Sequence, residues 1–178
     1  MTTLACVTGR FQPVHVQHLE LFEVAMRGAD HLVVAVTNPD HAARHAEPTS
    51  EHRHTVAANP FTYYQRLRLL EAALDGAGFG GCASVVPFDL TRPQVWPEYV
   101  PVRARQFVRV YDAWEREKAD RLAAAGYQVT VLEGDPARRV AATSIRAALA
   151  DGHGWEDMVP PVTVPLLSAL CPSRRRAP

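Results

Sequence analysis

Five short apolar runs recur along this chain, LACV at 4–7, HLVVAVT at 31–37, ASVVPF at 83–88, FVRVY at 107–111 and YQVTVL at 127–132, with amphipathic segments between them. Runs this short and this rich in valine read as strands buried on both faces. Strands that alternate with helices bury themselves in this way as a parallel sheet covered by helices on each side. The intervening helices are expected from about Pro13 to Arg27 with Pro13 in the first turn, and from Phe61 to Leu74 with Thr62 as N-cap and Leu67, Leu70 and Leu74 turned inward. Further helices are expected at Glu115 to Ala125, at Thr143 to Asp151, and from after Pro161 through Leu170. Residues 41–59 have no period and form a long connection, of the kind that is usually functional or disordered. This gives one α/β domain over residues 1–171 and a loose tail at 172–178, in which Arg174 to Arg176 read as a solvated end.

Composition narrows what such a domain does. A formal net charge of zero over 178 residues argues against a general nucleic-acid or membrane-surface binder, because such proteins carry a basic excess that neutralises phosphates. It leaves room for a small anion in a local basic pocket. Cys6, Cys82 and Cys171 are far apart and lack metal-ligand spacing, so neither a disulfide framework nor a zinc site is indicated, and Cys6 reads as a core thiol. No stretch approaches the roughly 20 apolar residues of a membrane span. The expected compartment is the cytoplasm.

The chemistry concentrates where the first strand ends, in Thr-Gly-Arg-Phe-Gln-Pro-Val-His-Val-Gln-His-Leu-Glu-Leu-Phe at 8–22. Gly9 permits a sharp turn there. His15 and His18 then fall on one face near a helix N-terminus, where unpaired N–H groups and the positive end of the dipole attract phosphate. Arg10 and the two imidazoles add charge and hydrogen bonds. A strand, Gly-Arg, Pro and His-x-x-His in one run point to nucleotide phosphates rather than to two inconsequential cap histidines.

This run resembles the HxGH nucleotidyltransferases, in particular the archaeal-type nicotinamide mononucleotide adenylyltransferases. The resemblance covers most of the chain. It includes NPFTYYQR at 59–66, DLTRPQVW at 89–96, AATSIRAAL at 141–149 in place of I-S-x-T-x-x-R, and GWEDMVPPVTVPLL at 154–167. It implies a Rossmann-like doubly wound sheet with the nucleotide at the carboxyl edge of the strands. It also implies in-line nucleotidyl transfer from a nucleoside triphosphate, with His15, His18 and Arg10 at the reacting phosphate. Gly9, Phe11 and Gln17 of the first motif and Thr143, Ser144 and Arg146 of the second then fall to the nucleotide. Mg²⁺ is expected to bridge phosphate oxygens and to need few protein ligands, so no metal-ligating residues are assigned. Related enzymes often form homo-oligomers, but no interface is read from this sequence.

The departures from the family pattern concern the substrates. Gln17 replaces the glycine of HxGH, where it either offers its amide to a base smaller than adenine, favouring CTP, or points away along the helix. Ala58 stands where the adenylyltransferases have an arginine for the mononucleotide phosphate, and the preceding loop offers Arg44, Arg53, His52 and His54 in exchange. Arg53, Arg66 and Trp96 are the acceptor-side candidates, with burial against the sheet an equal reading for Trp96. Asp112 reads as a strand-end turn acid or as a group for a ribose hydroxyl or a magnesium water. Tyr111 to Trp114 replace the family's Ser-Gly-Asn-Pro. This pattern resembles the CTP:phosphonoformate cytidylyltransferases of phosphonate-antibiotic pathways. The expectation is therefore a cytidylyltransferase acting on a small phosphonate or phosphate. A nicotinamide mononucleotide adenylyltransferase and a non-catalytic nucleotide-binding module are the alternatives.

Overall fold

All five apolar runs become strands of one parallel sheet in the computed structural model, which describes residues 2–50 and 52–171. The strands are β1 (Leu4–Gly9), β2 (His31–Thr37), β3 (Ala83–Phe88), β4 (Arg105–Val110) and β5 (Val129–Glu133), in the order β3-β2-β1-β4-β5. Side chains alternate between the two faces, as a strand's period of two requires. Ala5 and Val7 enter one core and Cys6 enters the other. Helices α1 (Val16–Met26), α2 (Tyr63–Gly76), α5 (Ala142–Asp151) and α6 (Val164–Leu170) supply the first core through Phe22, Leu70, Ile145 and Leu167. The other face is covered by α3 (Trp96–Tyr99) and α4 (Ala113–Ala124), which bring Trp96 and Leu122. The chain winds outward from β1 to β2 on one side and from β4 to β5 on the other. That reversal opens a crevice at the carboxyl ends of β1 and β4, the place where such sheets bind ligands.

Helix starts follow local chemistry more than periodicity. Helix α1 begins at Val16, because Pro13 lies in the preceding turn and an extended His15 (φ −141°, ψ 172°) is the N-cap. Buried Gln12 ties that turn to Phe61, donating to its carbonyl and accepting from its N–H at 3.0 Å each. Thr62 does cap α2, accepting from Gln65 N–H while Gln65 Oε1 accepts from Thr62 N–H. The inward face of α2 is Arg66, Leu69, Leu70, Ala73 and Leu74, with Leu67 only half-buried. Asp112 caps α4 by accepting from the N–H groups of Trp114 and Glu115, which starts that helix two residues earlier than the pattern suggests.

The 41–59 connection has no regular elements among its described residues, yet it is fastened. Glu47 accepts two hydrogen bonds from Arg121 at 3.1 and 2.7 Å, and Thr49 donates to Glu117 at 2.6 Å. These bonds pin the loop to α4, so that it forms a wall of the crevice. No helix among the described residues is long and apolar enough to cross a membrane. The expected tail at 172–178, with Arg174 to Arg176, lies outside the described residues.

Candidate active site

A cavity of about 360 Å³ occupies the crevice. Of the residues expected there, Gly9, Arg10, Phe11, His15, Gln17 and His18 line it from the β1–α1 turn, Arg53 from the loop, and Thr143 from the first turn of α5. Gly9 serves close approach rather than turning. A Cβ on it would stand 2.9 Å from the Phe11 ring, and Phe11 itself takes the left-handed conformation (φ +50°) that puts this ring edge-on to His18 at 4.7 Å.

The two histidines stack with ring centroids 3.7 Å apart. His15 N–H donates to His18 Nδ1 at 3.1 Å, so the His18 ring proton resides on Nε2 and that N–H remains for a ligand. Burial, with Arg109 and Arg139 nearby, pushes His15 down to about 3. Burial, with His15 and Lys118 nearby, holds His18 well below its usual value. Both imidazoles are therefore neutral in the ligand-free protein. They bring hydrogen-bond donors, not the charge expected from the sequence.

This has a measurable consequence for stability. Between the unfolded value of 6.5 and about 3, an unfolded chain takes up a proton that folded His15 refuses, so stability falls as pH drops through that window. The slope reaches about 1.4 kcal/mol per pH unit for each such group. The melting temperature should decline from pH 6.5 to 4.5, and His15→Asn should make the decline shallower. An unchanged slope in that variant would show that His15 titrates normally.

Gln17 differs from both of its expected readings. Its side chain turns into the site, but the amide is committed: Oε1 accepts from Val140 N–H at 2.8 Å and from Tyr111 O–H at 3.1 Å, while Nε2 donates to Arg138 O at 2.7 Å. Gln17 thus fastens the 138–140 segment over α1 and narrows the crevice, and its amide is not offered to a base. Gln17→Ala should free this strap, read as roughly five- to twelvefold faster amide exchange at Val140 if the bond is worth the usual ~1 to 1.5 kcal/mol.

The electrostatics are those of an anion site. Arg10, Arg53, Arg109, Lys118 and Arg139 line the crevice against two carboxylates, Asp112 and Glu115. Arg139 holds both carboxylates at 2.9 Å and lies over the Tyr111 ring at 4.8 Å. Burial opposes it, but hydrogen bonds from Glu115 and Arg139 keep Asp112 below the usual carboxylate range, while burial and Asp112 raise Glu115. Asp112 is thus a helix cap and an ion-pair partner. Arg10 donates to the carbonyls of Arg53 and Ala58, both at 3.2 Å. Arg53 packs over the Trp114 indole at 4.7 Å. His52 lines the crevice too, whereas Arg44 bonds to His41, and neither Arg44 nor His54 lines it.

Four candidates lie outside the lining. Arg66 is fully buried outside the crevice and donates to five carbonyls, those of Thr62, Arg10, Thr37, Asn38 and Pro39. That satisfies all five guanidinium N–H groups, so Arg66 is a brace for the β1 and β2 turns and not an acceptor ligand. Trp96 is 2% exposed, stacks on Phe88 at 5.1 Å and donates its indole N–H to Asp89 O at 2.7 Å, which makes it core. Ser144 is exposed beside the crevice without lining it. Arg146 also stands behind the lining, donating to Gln12 O at 2.9 Å and to Thr143 Oγ1 at 3.2 Å.

The sequence model of the cytidylyltransferase-like family matches residues 6–148, from β1 through most of α5. The chain belongs to that family. Phosphonoformate cytidylyltransferase of Streptomyces viridochromogenes is 37% identical over 156 residues, covering 87% of this chain and 85% of that protein. Nicotinamide-nucleotide adenylyltransferase of Pyrococcus horikoshii is 28% identical over 163 residues, covering 91% and 81%. The fold matches a bifunctional NMN adenylyltransferase/ADP ribose pyrophosphatase of Francisella tularensis with a TM-score of 0.70 at 15% identity. This chain spans half the length of that protein, and the match speaks for the sheet and its helices alone. The sequence reading missed Tyr111, Arg109, Arg139, Glu115 and Lys118 as crevice residues.

Proposed function

We propose that this chain transfers CMP from CTP to a small phosphonate, with phosphonoformate as the favoured acceptor, and releases pyrophosphate. The observation that carries the proposal is the 37% identity to a phosphonoformate cytidylyltransferase over 87% of the chain. An oxygen of the phosphonate bonds to the α-phosphorus of CTP while the bond from that phosphorus to the bridging β-oxygen breaks. Pyrophosphate leaves with the electron pair. The phosphonate is already an oxyanion at neutral pH, so no general base is required.

The chain's own groups supply position and field. His18 Nε2–H and His15 donate to the α-phosphoryl oxygens as charge builds on them. Arg10, anchored by two carbonyls, presents its guanidinium beside them. Thr143 and the N–H groups of the first α5 turn receive the departing β- and γ-phosphates, with Arg146 bracing the Thr143 hydroxyl. The Gln17 strap and the Tyr111 ring reduce the room for a base, which favours cytosine over a purine. No group of three His, Cys, Asp or Glu side chains among the described residues is placed to hold a metal, and both crevice carboxylates are taken by Arg139. A Mg²⁺ ion brought in on the triphosphate of CTP would shield its charge, with no side chain of this chain assigned to hold it. The three thiols are unpaired, in keeping with the cytoplasm as the site of the reaction.

Phosphorus NMR of a reaction with MgCTP and phosphonoformate tests the proposal. It should show paired doublets from a new P–O–P anhydride together with pyrophosphate. Accumulation of pyrophosphate without an anhydride signal would mean hydrolysis of CTP and would contradict the transfer. The adenylyltransferase reading loses its aromatic support, because Trp96 is core. A non-catalytic module is disfavoured by the gathering of Arg10, His15, His18 and Thr143 around one cavity.

A further inference from the structure

Helix α4 turns Trp114, Lys118, Ala119 and Leu122 inward, so a lysine stands in a row of otherwise apolar positions. Lys118 is 9% exposed and lines the crevice floor, where its Nζ donates to Thr8 O at 2.9 Å. An ammonium has three protons to donate, and among the described residues this is the one hydrogen bond it makes. It forms no ion pair among the described residues. A buried cation with a single neutral acceptor is costly to keep, and the carboxylates that act on it, Glu115 and Asp112, are already paired with Arg139, so the position points to an anion that enters the cavity.

The two ends of the crevice lie on opposite faces of the sheet. Thr143 opens α5, which packs into the core that holds Phe22, whereas Lys118 and the Trp114 ring beneath Arg53 belong to α4, which covers the other face. The site therefore runs from the proposed pyrophosphate end at α5 to the floor between β1 and α4, where Lys118 meets Thr8. In-line displacement puts the attacking oxygen opposite the leaving group. We propose that Lys118 binds an anionic oxygen of the acceptor at that far end, with Arg53 on the same small anion, and so aligns the attacking phosphonate oxygen with the α-phosphorus. This rests on the cytidylyl-transfer reading above. The acceptor class it selects is a compact dianion or trianion with its charges on adjacent atoms, because Lys118, Arg53 and the Trp114 ring close that end.

The test compares Lys118→Met and Lys118→Arg with the wild-type protein, measuring KM for phosphonoformate at saturating MgCTP and KM for CTP at saturating acceptor. Loss of a direct acceptor contact should raise the phosphonoformate KM at least about tenfold in Lys118→Met and shift the CTP KM less than about twofold, with Lys118→Arg in between. A general loosening of the site would move both constants together and overturn the proposal, as would an unchanged phosphonoformate KM. Should Lys118→Met fail to fold, Lys118→Gln keeps a donor for the Thr8 carbonyl and carries the same comparison. Wild-type protein that neither binds phosphonoformate in calorimetry nor turns it over would instead overturn the reading on which the proposal stands.

Discussion

Replacing His18 with alanine is expected to lower kcat by ~10²-fold or more, the loss seen when one preorganised donor to a transition-state oxygen is removed. The geometry gives the reason. His18 is fixed by its hydrogen bond from His15 N–H, by stacking on His15 and by the edge of Phe11, so its Nε2–H is held in the crevice without reorganisation, where the proposed transfer puts a phosphoryl oxygen. The same fixation means that alanine also disturbs the fold: it leaves His15 N–H without an acceptor and opens a hole under Phe11, at a cost of about 1 to 3 kcal/mol. His18→Asn separates the two effects. Its carbonyl oxygen can take the His15 N–H bond and hold the melting temperature near wild type, while the donor at the Nε2 position is gone and the rate stays low. Near-normal turnover in His18→Asn would remove His18 from the chemistry.

Replacing Arg66 with methionine should have the largest effect on stability of any single change in the chain. Methionine fills comparable space but leaves the carbonyls of Thr62, Arg10, Thr37, Asn38 and Pro39 without their donor, that of Thr37 in a buried place and the others in partly buried ones. At about 1 to 3 kcal/mol for each group that water does not reach, the loss comes to about 3 to 5 kcal/mol. In a domain of this size that corresponds to a fall in melting temperature of roughly 6 to 20 °C. Differential scanning calorimetry reads it directly. If Arg66 were an acceptor ligand instead, the variant would melt like wild type and show only a raised acceptor KM.

These two residues also mark what a sequence of this kind makes legible. The sheet could be read because its inner strands β1 and β2 are buried on both faces and carry no polar alternation, and β2 and the half-exposed edge strand β3 have the bounds that their apolar runs suggest. That the residues of the β1–α1 turn gather at one crevice could be read because strand end, Gly-Arg and paired histidines are local in the chain. What was lost was direction. Arg66 and Trp96 occupy the right motifs, but which way a side chain points depends on partners far away, such as Thr37 for Arg66. Gln17 bonds to Val140, 123 residues on, and no local pattern signals such a contact. Pro13 misled the α1 boundary because the Gln12 bridge to Phe61 holds the preceding turn. Lys118 did leave a signal: on α4 it falls on the same face as Trp114 and Leu122, in a helix whose many charges hid that stripe.

The central claim is a choice of two substrates by one pocket, and pyrophosphate release measures it most directly, with ATP, CTP, GTP and UTP each crossed against phosphonoformate and nicotinamide mononucleotide in the presence of Mg²⁺. The account predicts turnover with CTP and phosphonoformate and only background elsewhere in the matrix. Turnover confined to ATP and nicotinamide mononucleotide would contradict it, and would show that a filled Gln17 position and a missing arginine at residue 58 are compatible with dinucleotide synthesis.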